Sequence, residues 1–127
     1  MANPDIVSVQ HIKGKTEGIS LGTSVGDILT NGTSSGTNVL KVNCVYVSNT
    51  TASTANAITS NWKEGATEVP LLSGVVVPAT STLVAISKNE AIYLEPGQSL
   101  TGLNTATGAS AGDLKIVISY EEITDQV

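Results

Sequence analysis

The side chains able to do chemistry are few. The chain has one histidine, His11, and one cysteine, Cys44. A Ser-His-Asp or Cys-His arrangement would need His11 to meet an activated nucleophile, and no Gly-x-Ser-x-Gly elbow is present. One His and one Cys do not supply a zinc shell, and neither EF-hand nor His-x-x-x-His spacing occurs. No metal or other cofactor is expected, and His11 reads as a surface or interface residue. The 11 carboxylates could in principle pair for acid–base work. They sit mainly beside turns and strand ends, where solvated charge protects sheet edges, and Glu121-Glu122 reads as a polar strand end. The glycines form neither Gly-x-x-x-x-Gly-Lys-Ser/Thr nor a strand-to-helix Gly-x-Gly-x-x-Gly, so no phosphate cradle is visible. The expectation is a protein that is not an enzyme.

Trp62 is the lone tryptophan. On an exposed face with tyrosine partners it would stack a sugar, whereas in a plain sandwich it would be buried. One such ring is too few for a glycan platform, so the core reading is preferred. Cys44, on the same alternating face as Leu40 and Val42, reads as a small buried hydrophobe. All 6 cations are lysines, and the net charge is −5. Without arginine there is no bidentate fork for phosphate or base edges, and the acidic balance opposes nucleic acid and anionic membrane alike. No nucleic-acid or membrane partner is expected.

The elements that must position these residues are strands. A length of 127 residues matches one domain, and 40% hydrophobic against 13% charged residues indicates a chain that folds. Aromatics are only 3%, so the core must come from Val, Ile, Leu and Ala, which suits β structure. No basic leader precedes an apolar run at the N-terminus, and no run approaches the 18 or so apolar residues that cross a bilayer, so neither signal nor anchor is expected. A single cysteine excludes an internal disulfide framework.

Alternation of apolar and polar residues recurs, and no long 3.6-residue stripe does. Leu40, Val42, Cys44 and Tyr46 alternate with Lys41, Asn43, Val45 and Val47; Leu114, Ile116, Ile118 and Tyr120 alternate with Lys115, Val117, Ser119 and Glu121. The pattern predicts about eight strands, at residues 6–12, 18–22, 25–30, 39–49, 56–63, 69–77, 82–88 with 91–95, and 113–123. Leu83 to Ser87 and Ala91 to Glu95 read as a hairpin about Lys88-Asn89-Glu90. Pro70 and Pro78 mark 69–77 as an edge strand. Asn31-Gly32 and the type II signature Glu95-Pro96-Gly97-Gln98 are the strongest turns, and 33–37 and 104–112 read as loops. The fold class is a single-domain, all-β antiparallel β-sandwich, either jelly-roll or immunoglobulin-like.

Several phrases carry a family resemblance: Met1-Ala2-Asn3-Pro4-Asp5-Ile6-Val7, Leu40-Lys41-Val42-Asn43 through Val47-Ser48-Asn49-Thr50, and Val77-Pro78-Ala79-Thr80-Ser81-Thr82-Leu83-Val84-Ala85-Ile86-Ser87-Lys88. To these add Tyr93-Leu94-Glu95-Pro96-Gly97-Gln98-Ser99-Leu100 and Ile118-Ser119-Tyr120-Glu121-Glu122. Together they resemble short virion structural proteins of tailed bacteriophages, particularly those infecting aquatic cyanobacteria. The resemblance covers most of the chain and rests on strand phrases rather than catalytic motifs.

It implies a non-enzymatic building block made in the host cytoplasm and located in the virion, foremost a capsid cement or decoration protein on the major capsid lattice, with a trimer as the favoured homo-oligomer. Residues 1–14, stiffened by Pro4, read as an extended arm or as a first strand, and 15–127 as the sandwich domain. Asn3, Pro4, Ile6, Val7, Val9 and His11 are the candidate partner-binding residues, by strand addition onto a neighbour. A tail, neck or fibre component is the alternative within the particle, and a carbohydrate-binding module the alternative outside it.

Overall fold

The computed structural model describes residues 11–32 and 38–124, and of His11 the backbone only. Nine strands run β1 (His11–Ser20), β2 (Gly26–Thr30), β3 (Asn38–Asn49), β4 (Asn56–Glu64), β5 (Thr67–Val77), β6 (Thr82–Ile86), β7 (Ile92–Leu94), β8 (Gln98–Asn104) and β9 (Leu114–Thr124). They form two sheets. The larger has the order β1-β9-β3-β6, with β7 also on β3, and the smaller has the order β2-β8-β4-β5. Every pairing is antiparallel. The described chain is a single-domain β-sandwich, and with β6 and β7 taken as one interrupted strand its order is that of a jelly roll.

Three expectations about strands are corrected. β6 and β7 are not a hairpin: they lie end to end along β3, Ile86 opposite Val45 and Ile92 opposite Val42, with a 3₁₀ turn at Lys88–Glu90 between them. The stretch 98–104, to which no strand was assigned, is β8, central in the smaller sheet. The expected strands 6–12 and 18–22 are, over the described residues, one strand, β1, which runs unbroken from His11 to Ser20. β5 does lie at a sheet edge, where Pro70 is tolerated. The turn at Glu95–Gln98 forms with the Gln98 amide donating to the Glu95 carbonyl at 3.0 Å and Gly97 at φ 88°.

The core lies between the sheets. Leu40, Val42, Val45, Val47, Ile116 and Ile118 from the larger sheet meet Ile58, Val77 and Leu100 from the smaller, with Leu21 and Ile28 closing one side. Gly102 on β8 makes room for that closure, since a Cβ there would stand 2.7 Å from Cδ1 of Ile28. On β3 the inward residues change parity along the strand. Leu40 and Val42 are buried, then Val45, Val47 and Asn49, while Tyr46 is exposed and Cys44 half-buried. The cause is a β-bulge: Val42 faces Tyr120 and Cys44 faces the next residue, Ser119, so Asn43 is the extra residue and everything after it turns over. The reading of Cys44 as a buried hydrophobe on the face of Leu40 fails for that reason.

Four asparagines, Asn31, Asn49, Asn56 and Asn104, are buried with hydrogen-bond partners. Asn104 Nδ2 donates to Asn56 Oδ1 at 2.9 Å, and Asn56 Nδ2 donates to Asn49 Oδ1 at 3.2 Å, a relay that joins β8 and β4 to β3 across the two sheets. Asn49 Nδ2 completes it by donating to the carbonyls of Thr54 and Val77. At the opposite end Asn31 Nδ2 donates to the carbonyls of Asn38 and Leu94. Both asparagines that begin Asn-x-Thr triplets, Asn31 and Asn49, are thus buried structural residues.

Two predictions follow from this packing. Asn56→Ala leaves the Asn104 amide without its buried acceptor and is expected to cost about 1–3 kcal/mol in urea unfolding; a loss within about 0.5 kcal/mol, ordinary for a surface change, would show that the relay does not bind the sheets. The second concerns Tyr120, whose hydroxyl donates to Glu17 Oε2 at 3.0 Å. Burial, then that hydrogen bond and the charges of Glu17 and Glu122, push the phenol up from 10.0 to about 12. The unfolded chain gives up this proton first, so stability is expected to fall between about pH 10 and 12. Tyr120→Phe should flatten that decline in unfolding midpoints taken across the window; an unchanged slope would contradict it.

Candidate functional site

The two sheets meet imperfectly along the side where β5 edges the smaller sheet and β6 and β7 edge the larger. There the chain builds a groove of about 340 Å³ from Trp62 on β4, Val69, Pro70 and Leu71 on β5, and Ile92 and Tyr93 on β7. Local sequence explains the opening. The β4–β5 ladder pairs Asn61 with Pro70 and Ser60 with Leu72, so Leu71 is the extra residue of a bulge. The larger sheet's edge is broken at Lys88–Glu90, and β7 is only 3 residues long. Neither edge therefore covers the other, and Val69, Leu71 and Tyr93 keep 50%, 37% and 50% of their surface in solvent.

Trp62 is half-buried, packed against the core on one side and lining the groove on the other. The core reading of this residue is thus half correct, and Tyr93 supplies a second ring in the same groove. The walls are almost wholly apolar. Such a surface takes aliphatic or aromatic side chains and offers little to a hydroxyl-rich ligand.

A second apolar feature lies on the outer face of the larger sheet. Tyr46 faces Val84 on one side and Val117 on the other, so three exposed side chains form a row across β6, β3 and β9. Polar pairs bound it, with Ser48 and Thr82 hydroxyls 3.0 Å apart and Lys115 Nζ donating to Ser20 Oγ at 3.1 Å. The Cys44 thiol beside Tyr46, through a side-chain hydrogen bond, raises that phenol above its ordinary range. The row follows from the β3 bulge, without which Tyr46 would face inward.

Two carboxylates do converge, though not on a reactive group. Gln98 Nε2 donates to Glu64 Oε2 at 3.0 Å and to Glu95 Oε2 at 3.1 Å, while Gln98 Oε1 accepts from the Glu95 amide. The result is a clasp between the end of β4 and the start of β8. Glu122, expected only as a polar strand end, pairs with Lys15 at 3.4 Å and accepts from Asn38 Nδ2 at 3.1 Å. Among the described residues no three His, Cys, Asp or Glu side chains are placed to hold a metal ion. No helix among them is long and apolar enough to cross a membrane.

Of the candidate partner-binding residues, Asn3, Pro4, Ile6, Val7 and Val9 lie outside the described residues. His11 opens β1 opposite Thr124 at the rim of the larger sheet, away from the groove. Sequence reasoning missed Val69, Leu71, Ile92 and Tyr93. The available signal was the run Val69-Pro70-Leu71-Leu72, apolar without alternation on a strand that its proline already placed at an edge.

Comparison with known proteins bears on the fold. No protein-family model and no curated protein matches the chain. Among solved structures it is similar to a subunit of Bacillus endospore appendages, which form a family of disulfide-linked pili, with a TM-score of 0.51 and 13% identity over 91% of this chain and 88% of that one. It is also similar to the Drosophila NLP core, described for its pentamer formation and histone binding, with a TM-score of 0.45 and 14% identity over 90% of this chain and 100% of that one. The first likeness supports the β-sandwich assignment.

The groove makes the single tryptophan a local reporter. Leu71→Ala and Tyr93→Ala are each expected to move Trp62 emission to longer wavelength and raise its quenching by acrylamide. Tyr93→Ala, at a half-exposed site, should change unfolding free energy by no more than about 0.5–1 kcal/mol. Spectra unchanged in both variants would mean that these side chains do not wall Trp62.

Proposed function

We propose that the chain acts by binding, as a structural subunit of a tailed-phage virion, and more narrowly as a cement or decoration protein on the lattice of the major capsid protein. The observation that carries this reading is where the domain puts its apolar surface. Val69, Leu71 and Tyr93 at the open edge, and Tyr46, Val84 and Val117 on the outer face, are held outward by strand register and bulges rather than by loops. Rigid outward apolar surface on a small domain fits repeated contacts with neighbours. A lattice multiplies each weak contact through effective concentration, so no single interface need be strong. The resemblance of several strand phrases to phage structural proteins points the same way, and the pilus-forming appendage subunit illustrates that a sandwich of this kind can serve as a building block. In this reading the protein is made in the host cytoplasm, takes its place on the head as a homo-oligomer, with a trimer favoured, and needs no cofactor.

Trp62 and Tyr93 in one groove favour a second reading, a carbohydrate-binding module. The shortage of polar groups in the walls weighs against it, because sugars are fixed by hydrogen bonds as well as stacking.

The test is to mix the purified protein with capsids that lack it and image the particles by electron microscopy. Regular density over the shell, with greater resistance of the head to heat, is the expected result. Density confined to tail or neck would replace the cement role with a tail, neck or fibre role, and absence of binding alongside glycan binding would overturn the virion reading.

A further inference from the structure

We infer that the outer face of the larger sheet is a contact between two copies of this chain, packed face to face about a two-fold axis. In it Val84 seats on Gly18 of the second copy and Lys41 pairs with Glu121 of the second copy. This contact goes beyond the virion reading and does not depend on it. If the trimer also forms, through another surface, the same face joins one trimer to the next.

Two glycines of β1 are unexplained within one copy. Gly14 and Gly18 lie inside a strand of 10 residues, where glycine weakens the strand. Neither has a positive φ, and β1 runs against β9 without a register shift, so no bulge accounts for them. A Cβ built on either meets nothing within 4 Å among the described residues, so no close packing accounts for them either. A strand glycine of this kind marks a place where another backbone or a ligand comes close. Gly18 stands opposite Val117 and Gly14 opposite Glu121, and directly opposed residues share a face, which here is the outer one.

The glycines end two cross-strand rows. The first runs Val84, Tyr46, Val117, Gly18 and the second Tyr93, Lys41, Glu121, Gly14, so each has bulk at one edge strand and glycine at the other. An axis parallel to the strands, above the line between β3 and β9, lays β3 on β9 of the second copy and β6 and β7 on β1 of the second copy. Val84 then meets Gly18, Tyr93 meets Gly14, Tyr46 meets Val117 and Lys41 meets Glu121, each contact occurring twice. Shape and charge are complementary about the same axis, which is what a self-complementary two-fold surface requires. Lys41 and Glu121 are available for it, since among the described residues neither is in an ion pair. The rows lie about 14 Å apart, so the roughly 30° turn of packed sheets displaces each by about 3.5 Å, less than one strand spacing. The face measures about 19 Å across four strands and about 20 Å from Lys115 to Glu121, roughly 400 Å² on each copy. Two copies cover on the order of 800 Å², below the standard interface size, so the pairing is weak and reversible.

The test uses the full chain in analytical ultracentrifugation. Wild type is expected to pair as concentration rises. Lys41→Glu sets only carboxylates against one another across the contact, and Glu121→Lys only ammonium groups, so each alone should weaken association at least about tenfold. The decisive measurement is their equimolar mixture, in which carboxylates of one copy meet ammonium groups of the other, and pairing of unlike copies is expected to return. Gly18→Tyr fills the seat of Val84 and should weaken association at least about tenfold. Because tyrosine suits a strand better than glycine, that variant should melt no lower than wild type at a dilution where both are monomeric. Melting temperatures near the wild-type value check that the charge variants fold, and Gly18→Tyr carries the test if one of them does not. A wild type monomeric at its highest soluble concentration, variants that associate like wild type, or a mixture no stronger than its components would each overturn the inference. Monomeric protein that still decorates capsids would overturn it and leave the virion reading intact. Copies that pair through this face without binding any particle would uphold it while removing the virion reading.

Discussion

The pairing of β3 with β9 is the interaction on which the rest of the sandwich depends, because every other strand of the larger sheet hydrogen-bonds to one of these two. Its ladder runs from Asn38 opposite Thr124 to Asn49 opposite Leu114, and its one irregularity is the extra residue at Asn43. That bulge lets both halves of β3 face aliphatic side chains inward although the strand's sequence does not keep one parity. It also fixes what the outer face shows, since the same turnover that buries Val45 and Val47 exposes Tyr46 between Val84 and Val117. Core and surface are set by a single backbone event.

A chain with so few aromatic residues must close its core by other means. Aliphatic side chains fill the space between the sheets, and at its two ends buried asparagines take over. Asn49, Asn56 and Asn104 bond to one another and to backbone carbonyls at one end; Asn31 ties β2 to β3 and β7 at the other. Burying an amide is costly when it is unpaired and near neutral when its donors and acceptors are met. Because these partners come from different strands, the network penalises any shift of one sheet on the other. This specificity is something uniform aliphatic packing does not provide.

Much of the fold was legible in alternation. β9 reads directly as Leu114, Ile116, Ile118 and Tyr120 facing inward, and β5 is placed at an edge by Pro70 and Pro78. β8 was not legible, because Gln98, Ser99, Thr101 and Asn104 are polar yet buried, and the bonds of Gln98 to Glu64 and of Asn104 to Asn56 are ones a single sequence does not display. β1 was broken in the reading by Gly14, Gly18 and the charges between them, which are tolerated because the smaller sheet does not cover this edge strand. The parity change at Asn43 carried no signal, as bulges arise from pairing and not from composition. For the candidate site, Trp62 was singled out but its setting was not, since the groove exists only where β5 and β7, distant in sequence, come together. The strand phrases that resemble phage structural proteins carried no information about this groove.

The position of β1 has a consequence for synthesis. Its described partner is β9, joined from His11 opposite Thr124 to Ser20 opposite Lys115, nearly the full length of the chain away. On the ribosome, at about 5–20 residues per second, β1 waits on the order of ten seconds before the strand that will hold it has been made. A strand left single for that long invites pairing with another nascent chain. Lys13, Lys15 and Glu17, which alternate along one side of β1, are the kind of charged side chains that oppose such pairing. The residues that interrupt the apolar pattern of β1 are thus also the ones that guard it while it is single.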